Sequence, residues 1–162
     1  MSFIISTITQ QDAESVSKML HHFWGGEPIV AYDMAFNPSN LPGLKAVMDG
    51  EIIGILHYQI GDAVCEIITL ASLKEGLGVG SRLLEAVEKI AQDARCRKLC
   101  LTTTNDNLHA LGFYQRRGFK LTALYPGKLD QSRKIKPTIP DIGEGGIPIR
   151  DELRLEKGLE NN

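Results

Sequence analysis

The stretch Leu70-Ala71-Ser72-Leu73-Lys74-Glu75-Gly76-Leu77-Gly78-Val79-Gly80-Ser81-Arg82-Leu83-Leu84 carries an apolar run into three alternating glycines and then into a helical pattern. Glycine opens backbone angles that other residues avoid and lets a ligand come close to the chain. The first N–H groups of the following helix have no partner inside it, and the helix dipole stands behind them, so the turn outlines an anion cradle. The plainer alternative is a tight turn at a glycine-tolerant helix start. Two familiar phosphate motifs are excluded. A P-loop ends in Gly-Lys followed by Ser or Thr, whereas Gly80 precedes Ser81 and Arg82. A dinucleotide fingerprint needs Gly or Ala where Leu83 stands.

With 162 residues, 43% of them hydrophobic, the chain is expected to form one domain over 1–162. A net charge of −2 gives no electrostatic reason to expect nucleic acid or an anionic membrane as partner. No apolar run approaches a membrane span, and Met1 to Gln10 lacks a basic region followed by an apolar one, so a cytoplasmic location is expected. Cys65, Cys96 and Cys100 are odd in number and lack Cys-x-x-Cys spacing, which argues against a disulfide framework and a zinc site. His21 and His22 point about 100° apart on a helix, and no spaced carboxylate or thiol completes a metal set.

Working outward, Phe3 to Ile8 reads as a first strand, and Thr9 to Asp12 offer caps for a helix running to about Phe23 with Val16, Met19, Leu20 and Phe23 inward. Trp24 follows as a packing anchor or an acceptor-pocket wall, and Ile29 to Met34 as a short extended segment or a loop. Leu44 to Met48 and Ile52 to Ile60 are strands joined at Asp49-Gly50. Val64 to Leu70 follows, with Glu66, Ile68 and Leu70 expected on one face and Cys65, Ile67 and Thr69 on the other. Val79 to Arg95 is an amphipathic helix, and Leu99 to Thr104 a strand expected to lie parallel to Val64–Leu70. Asn105 to Asn107 cap a helix from Leu108 to Arg117 that stops at Gly118. Phe119 to Leu124 and Asp151 to Lys157 are strands, separated by a glycine- and proline-rich connection too long to be a plain loop.

The run Asn107-Leu108-His109-Ala110-Leu111-Gly112-Phe113-Tyr114-Gln115-Arg116-Arg117-Gly118-Phe119 resembles the Asn-x-x-Ala-x-x-Phe-Tyr-x-x-x-Gly-Phe signature of the GNAT superfamily of acyl-CoA N-acyltransferases. It begins at the strand-to-helix junction next after the glycine turn, as the family requires, and the element order agrees from about Phe3 to Leu124. The long connection resembles that of a bacterial subgroup. One departure is Glu75, three residues before Gly78, where the family usually has Arg or Gln.

The resemblance implies an α/β (α+β) fold with a mixed, mostly antiparallel sheet. Its central parallel strand pair would splay around the cofactor, with helices on both faces. It implies acetyl-CoA as co-substrate and no metal, with the pyrophosphate on backbone N–H groups of Leu77, Gly78, Val79, Gly80 and Ser81, and the pantetheine arm beside Leu70, Ala71 and Ser72. Asn107, Ala110 and Phe113 would complete the cofactor wall, and Tyr114 would put its hydroxyl near the thioester sulfur as the candidate general acid. An N-acetyltransferase must take a proton from its amine. Glu66, a carboxylate in an apolar strand, is the candidate base, the alternative being a structural carboxylate; His57 and Asp106 stand in reserve. The expected partner is a small-molecule or peptide amine, with a homodimer left open. Arg133, Lys134, Lys136 and Arg150 either recognise an acidic acceptor or are merely solvated. A CoA-binding sensor without turnover, or an interaction domain, is the competing function.

Overall fold

Two tight turns build the antiparallel half of the sheet. Asp49-Gly50 (φ 52° and 79°) and Asp62-Ala63 (φ 52° and 61°) hold both central residues at positive φ, as a type I′ hairpin turn demands. They join β4 (Gly43–Met48) to β5 (Glu51–Gly61), and β5 to β6 (Val64–Ser72). The computed structural model describes residues 2–160. Its other elements are β1 (Ile4–Thr7), α1 (Ala13–Trp24), β2 (Ile29–Ala31), β3 (Met34–Phe36), α2 (Val79–Asp93), β7 (Lys98–Thr104), α3 (Leu108–Arg116), β8 (Lys120–Tyr125), α4 (Lys128–Ile135) and β9 (Glu152–Gly158).

Among the described residues, seven strands form one sheet in the order β1-β4-β5-β6-β7-β9-β8, and β2 and β3 pair separately. Only β6 and β7 run parallel, as the α2 crossover requires. Val79, Leu83, Leu84, Val87 and Ala91 make the buried stripe of α2, packed on Leu56, Leu99, Leu101 and Leu155. A Cβ on Gly54 would collide with Val79 and Leu83, so α2 rides directly on β5 there. Truncating the fully buried Leu83 to Ala would cost about 2–5 kcal/mol. On the opposite face Val16, Met19 and Leu20 of α1 cover Ile55 and Ala71. This helix stops at Gly25 (φ 72°), where Gly25 N donates to His21 O and Gly26 N to Leu20 O.

The alternation expected along β6 does not survive intact. His57 pairs with Thr69 but Tyr58 pairs with Ile67, so Ile68 is the extra residue of a β-bulge. Cys65, Ile67 and Leu70 therefore join the α2 core, whereas Thr69 bonds His57 and Ala71 packs with α1. Leu70 and Thr69 have exchanged the faces that strict alternation assigned them. Glu66 and Thr69 consequently look out on the same side, toward α1.

The connection after β8 also differs from a plain loop: it forms α4, and Ile142 bridges Pro148 further along. Ile29 to Met34 resolves into the β2–β3 hairpin, turning at Tyr32-Asp33 (φ 54° and 61°).

Candidate active site

Parallel pairing between β6 and β7 covers only Val64–Glu66 against Lys98–Cys100. Beyond it β6 continues to Ser72 on β5, and β7 continues to Thr104 on β9. The facing edges of 67–72 and 101–104 thus have no strand between them among the described residues. The Ile68 bulge supplies the bend, since an extra residue increases local twist and turns the strand aside. Backbone groups on such an edge need partners, and an extended ligand arm can provide them as an added strand. Leu70, Ala71 and Ser72 lie on this edge; the Ser72 hydroxyl turns back to Lys74 O at 2.9 Å.

The glycine turn stands beyond the open end of the gap. Gly76 (φ 80°) and Gly78 (φ 78°) occupy left-handed backbone, and a Cβ at either would meet nothing, so space is open in front of the helix start. Gly78 caps α2 without a side-chain bond to the first turn, leaving its N–H groups available. Val79 is buried and Leu77 exposed, and a Cβ on Gly80 would stand 3.0 Å from Phe113 Cζ. Arg117, a position the signature leaves free, stacks on Phe113 with its guanidinium 3.6 Å from the ring centroid and donates to Ser81 Oγ. Glu75, the departure from the family pattern, is exposed to solvent, where water and salt screen its carboxylate. Asn107 caps α3, accepting from Ala110 N at 3.2 Å. Ala110 and Phe113 pack against the α2 core. Tyr114 is buried between Phe113 and Phe119, and burial raises its pKa above the usual range, so the phenol keeps its proton.

Glu66 is the last β6 residue paired to β7, at the apex of the gap. Its Oε1 is buried with no hydrogen-bond partner among the described residues. Burial raises its pKa; the Arg154 charge and the nearby Tyr32 hydroxyl pull it back, and Glu152 opposes them. Arg154 and Glu152 share one face of β9 with Glu156, and Tyr32 comes from the hairpin turn. Sequence reading missed all three. Tyr-Asp is not an expected positive-φ pair, and the alternation of Glu152, Arg154 and Glu156 was a signal only once β9 lay beside β7.

A cavity of about 580 Å³ opens over Glu66. Phe23 and Trp24 from the end of α1, Ile29 of β2, Glu152 of β9 and Leu129 and Ile139 of the connection line it. The connection thus borders the same space as Glu66. Of its basic residues, for which recognition of an acidic acceptor and plain solvation were both open, two are tied to backbone and two stand at the surface. Lys136 Nζ, almost fully buried, donates to Trp24 O, Gly26 O and Pro28 O, because an ammonium taken from water needs three acceptors. Arg133 donates to the carbonyls of Ile139, Pro140 and Ile149 and so ties the connection to itself. Lys134 is exposed, and Arg150 lies 3.5 Å from Asp151 at the surface.

The reserve residues are accounted for by structure. Asp106 accepts from the Thr104 hydroxyl and from Glu144 N at 3.1 Å, anchoring the tip of the connection. His57 lies away from the Glu66 cavity, in the wall of a second one of about 620 Å³ beside α1, with Nδ1 2.7 Å from Thr69 Oγ1. Burial lowers its pKa to about 4, the Glu27 charge opposing, so its imidazole is neutral at physiological pH. All three cysteines are buried, and burial pushes Cys65 up to about 12 and Cys100 to about 11, far from a reactive thiolate. Among the described residues no group of three or more His, Cys, Asp or Glu could hold a metal ion, and no helix is long and apolar enough to cross a membrane.

The splayed parallel strand pair beside a glycine-headed helix leaves an open edge and an anion cradle side by side, and comparison with known proteins gives the family. Residues 12–119 match the Acetyltransferase (GNAT) family, and the chain belongs to it. It is 41% identical over 138 residues to the uncharacterized protein YdhI of Bacillus subtilis, covering 85% of this chain and 86% of that one. The fold is that of an IAA acetyltransferase from Bacillus cereus (TM-score 0.78, 23% identity, covering 98% and 100% of the two chains). It is shared by a GNAT acetyltransferase from Elizabethkingia anophelis solved with acetyl-CoA bound (TM-score 0.70, 23% identity, 97% and 98%).

Proposed function

We propose that this protein transfers the acetyl group of acetyl-CoA to a primary amine of a small molecule or peptide by direct attack, with Glu66 as base and Tyr114 as acid. One observation carries the reading: a buried carboxylate with an unpartnered oxygen stands where β6 and β7 begin to part. Acetyl-CoA, when bound, supplies an activated acyl carbon and a thiolate leaving group. The chain fits it through the open edge of Leu70–Ser72 and the uncapped N–H groups from Leu77 to Ser81, with Asn107, Ala110, Phe113 and Tyr114 as wall.

An amine reaches the cavity as an ammonium, which two carboxylates, Glu66 and Glu152, attract and apolar walls desolvate. Glu66 removes a proton from nitrogen so that its lone pair is free. The raised pKa makes the carboxylate a stronger base than an exposed one. The Tyr114 hydroxyl, protonated at every physiological pH, is the donor for the departing sulfur. The competing function, a CoA-binding sensor without turnover, would use the same cradle without releasing thiol.

A panel of amines assayed for thiol release separates enzyme from sensor. Glu66→Gln is expected to remove the acid limb of the rate profile, and Gly80→Glu to abolish acetyl-CoA binding in calorimetry. Tight binding without thiol release for any amine class would favour the sensor, and undiminished affinity in Gly80→Glu would remove the cradle.

A further inference from the structure

A tyrosine at φ 54° is costly backbone, and Tyr32 is held at that turn by contacts to the face of β9 that lies beside Glu66. Its backbone N–H donates to Glu152 Oε1 at 3.1 Å. Its hydroxyl accepts from Arg154 Nη1 at 2.6 Å, and the Arg154 guanidinium lies 5.3 Å from the centre of its ring. Arg154 is fixed in turn by Glu156 Oε2 at 3.0 Å, which also receives Lys98 Nζ at 2.8 Å. The next residue of the turn, Asp33, is pinned to α4 by Lys128 at 2.7 Å. The register brings this group to Glu66: Glu66 pairs with Cys100 and Cys100 with Glu156, so Arg154, two residues along the same face of β9, holds the Tyr32 hydroxyl on the side of the Glu66 carboxylate. A phenol that accepts from a guanidinium has its one proton left to give, and a carboxylate is the acceptor on that side.

We propose that Tyr32 is a positioning residue for acetyl transfer: backed by Arg154, its hydroxyl faces and orients the Glu66 carboxylate, leaving Oε1 to the acceptor amine. The proposal rests on Glu66 as the base. It gives the hairpin and the connection a shared purpose, since α4 holds the turn that delivers Tyr32. The other groups around Glu66 are Glu152 on β9, the thiols of Cys65 and Cys100, and His21, His22 and Lys136 on the cavity wall. Both thiols have raised pKa values and stay neutral, and Lys136 is committed to backbone carbonyls. Tyr32 and Arg154 are therefore the groups that favour the ionised carboxylate, while burial and Glu152 oppose it.

The test reads Glu66 itself and needs no identified acceptor. Protein labelled with ¹³C at the glutamate carboxyl is titrated by NMR, the Glu66 line being assigned by its loss in Glu66→Gln. Tyr32→Phe keeps the ring and removes the hydroxyl, and is expected to move the midpoint upward by about one pH unit, a tenfold change in proton affinity. Arg154→Gln moves it in the same direction by an independent route. Lys128→Met, which removes the ammonium on Asp33, gives a smaller upward shift, and Lys18→Met, at an exposed distant pair, gives none. A Glu66 midpoint within about 0.2 unit of the parent in both Tyr32→Phe and Arg154→Gln overturns the proposal. If the shifts occur but Glu66→Gln transfers acetyl at the parental rate, the network stands and the assignment of the base falls.

Discussion

Arg117 donates to Ser81 Oγ twice, from Nε at 2.8 Å and from Nη2 at 2.6 Å, which fixes a guanidinium beside the first turn of α2. A permanent positive charge thus adds to the dipole of the helix at the place where phosphate is expected. Arg117→Gln should weaken CoA binding by about tenfold at low salt, with the difference shrinking as salt screens the charge. Pantetheine, which lacks the pyrophosphate, should bind both proteins alike. Calorimetry showing the same loss for pantetheine would mean that Arg117 merely supports the fold.

Tyr114→Phe removes one hydroxyl and keeps the ring that packs against Phe113 and Phe119. The loss should appear in kcat, by about 10²-fold, with the acetyl-CoA Kd unchanged. CoA thiolate is a fair leaving group, which puts the effect at the lower end for acid catalysis. Parental turnover with chemistry rate-limiting would leave positioning as the main source of rate.

Acid should find a weak point at His57. Its pKa is about 4 in the fold against the usual 6.5, so the unfolded chain binds a proton across that window and the native state does not. Stability is then retained above pH 6.5 and lost as the pH falls toward 4, by about 3 kcal/mol for a group this deeply buried. Urea denaturation at a series of pH values should show this slope in the parent and its absence in His57→Phe. An equal slope in both would assign acid sensitivity to other groups.

Lys136→Met strips three carbonyls, at 2.7, 2.6 and 2.7 Å, of their shared donor. Global stability should drop by about 2–4 kcal/mol. The acceptor KM should rise while the acetyl-CoA Kd holds, because the link joins the connection to the end of α1 across the cavity and leaves the α2 cradle untouched. A matching rise in both constants would show that the two halves of the site are not separable.

What the sequence made legible is what local chemistry writes down: the glycine turn, the α2 stripe and the Asn107 cap with its signature. The Ile68 bulge left no mark, because Ile67 and Ile68 are both apolar and continue an apolar run through it. In α4 and its C-cap the buried positions Leu129, Ser132 and Lys136 include two polar residues, so the segment reads as a hydrophilic loop. Lys136 looks solvated in sequence and is buried in fact, since its acceptors lie more than 100 residues away. Tyr32 and Glu152 meet across a separation of 120 residues, and no periodicity reports such a pairing.

The place of β9 has a consequence for how the molecule comes into being. It is the last strand of the described residues in sequence yet lies between β7 and β8, and it carries Glu152 and Arg154 to the side of Glu66. Until 152–158 are in hand, β8 has no neighbour in the sheet and the free edge of β7 has none either. Closing the sheet requires threading a strand into a waiting slot, a non-local and therefore slow event. A nascent chain paused before it would hold the glycine turn and α2 but not the charges around Glu66. The candidate base thus gains its charged neighbours only when β9 docks, and a copy lacking that strand is a scaffold without an electrostatic site.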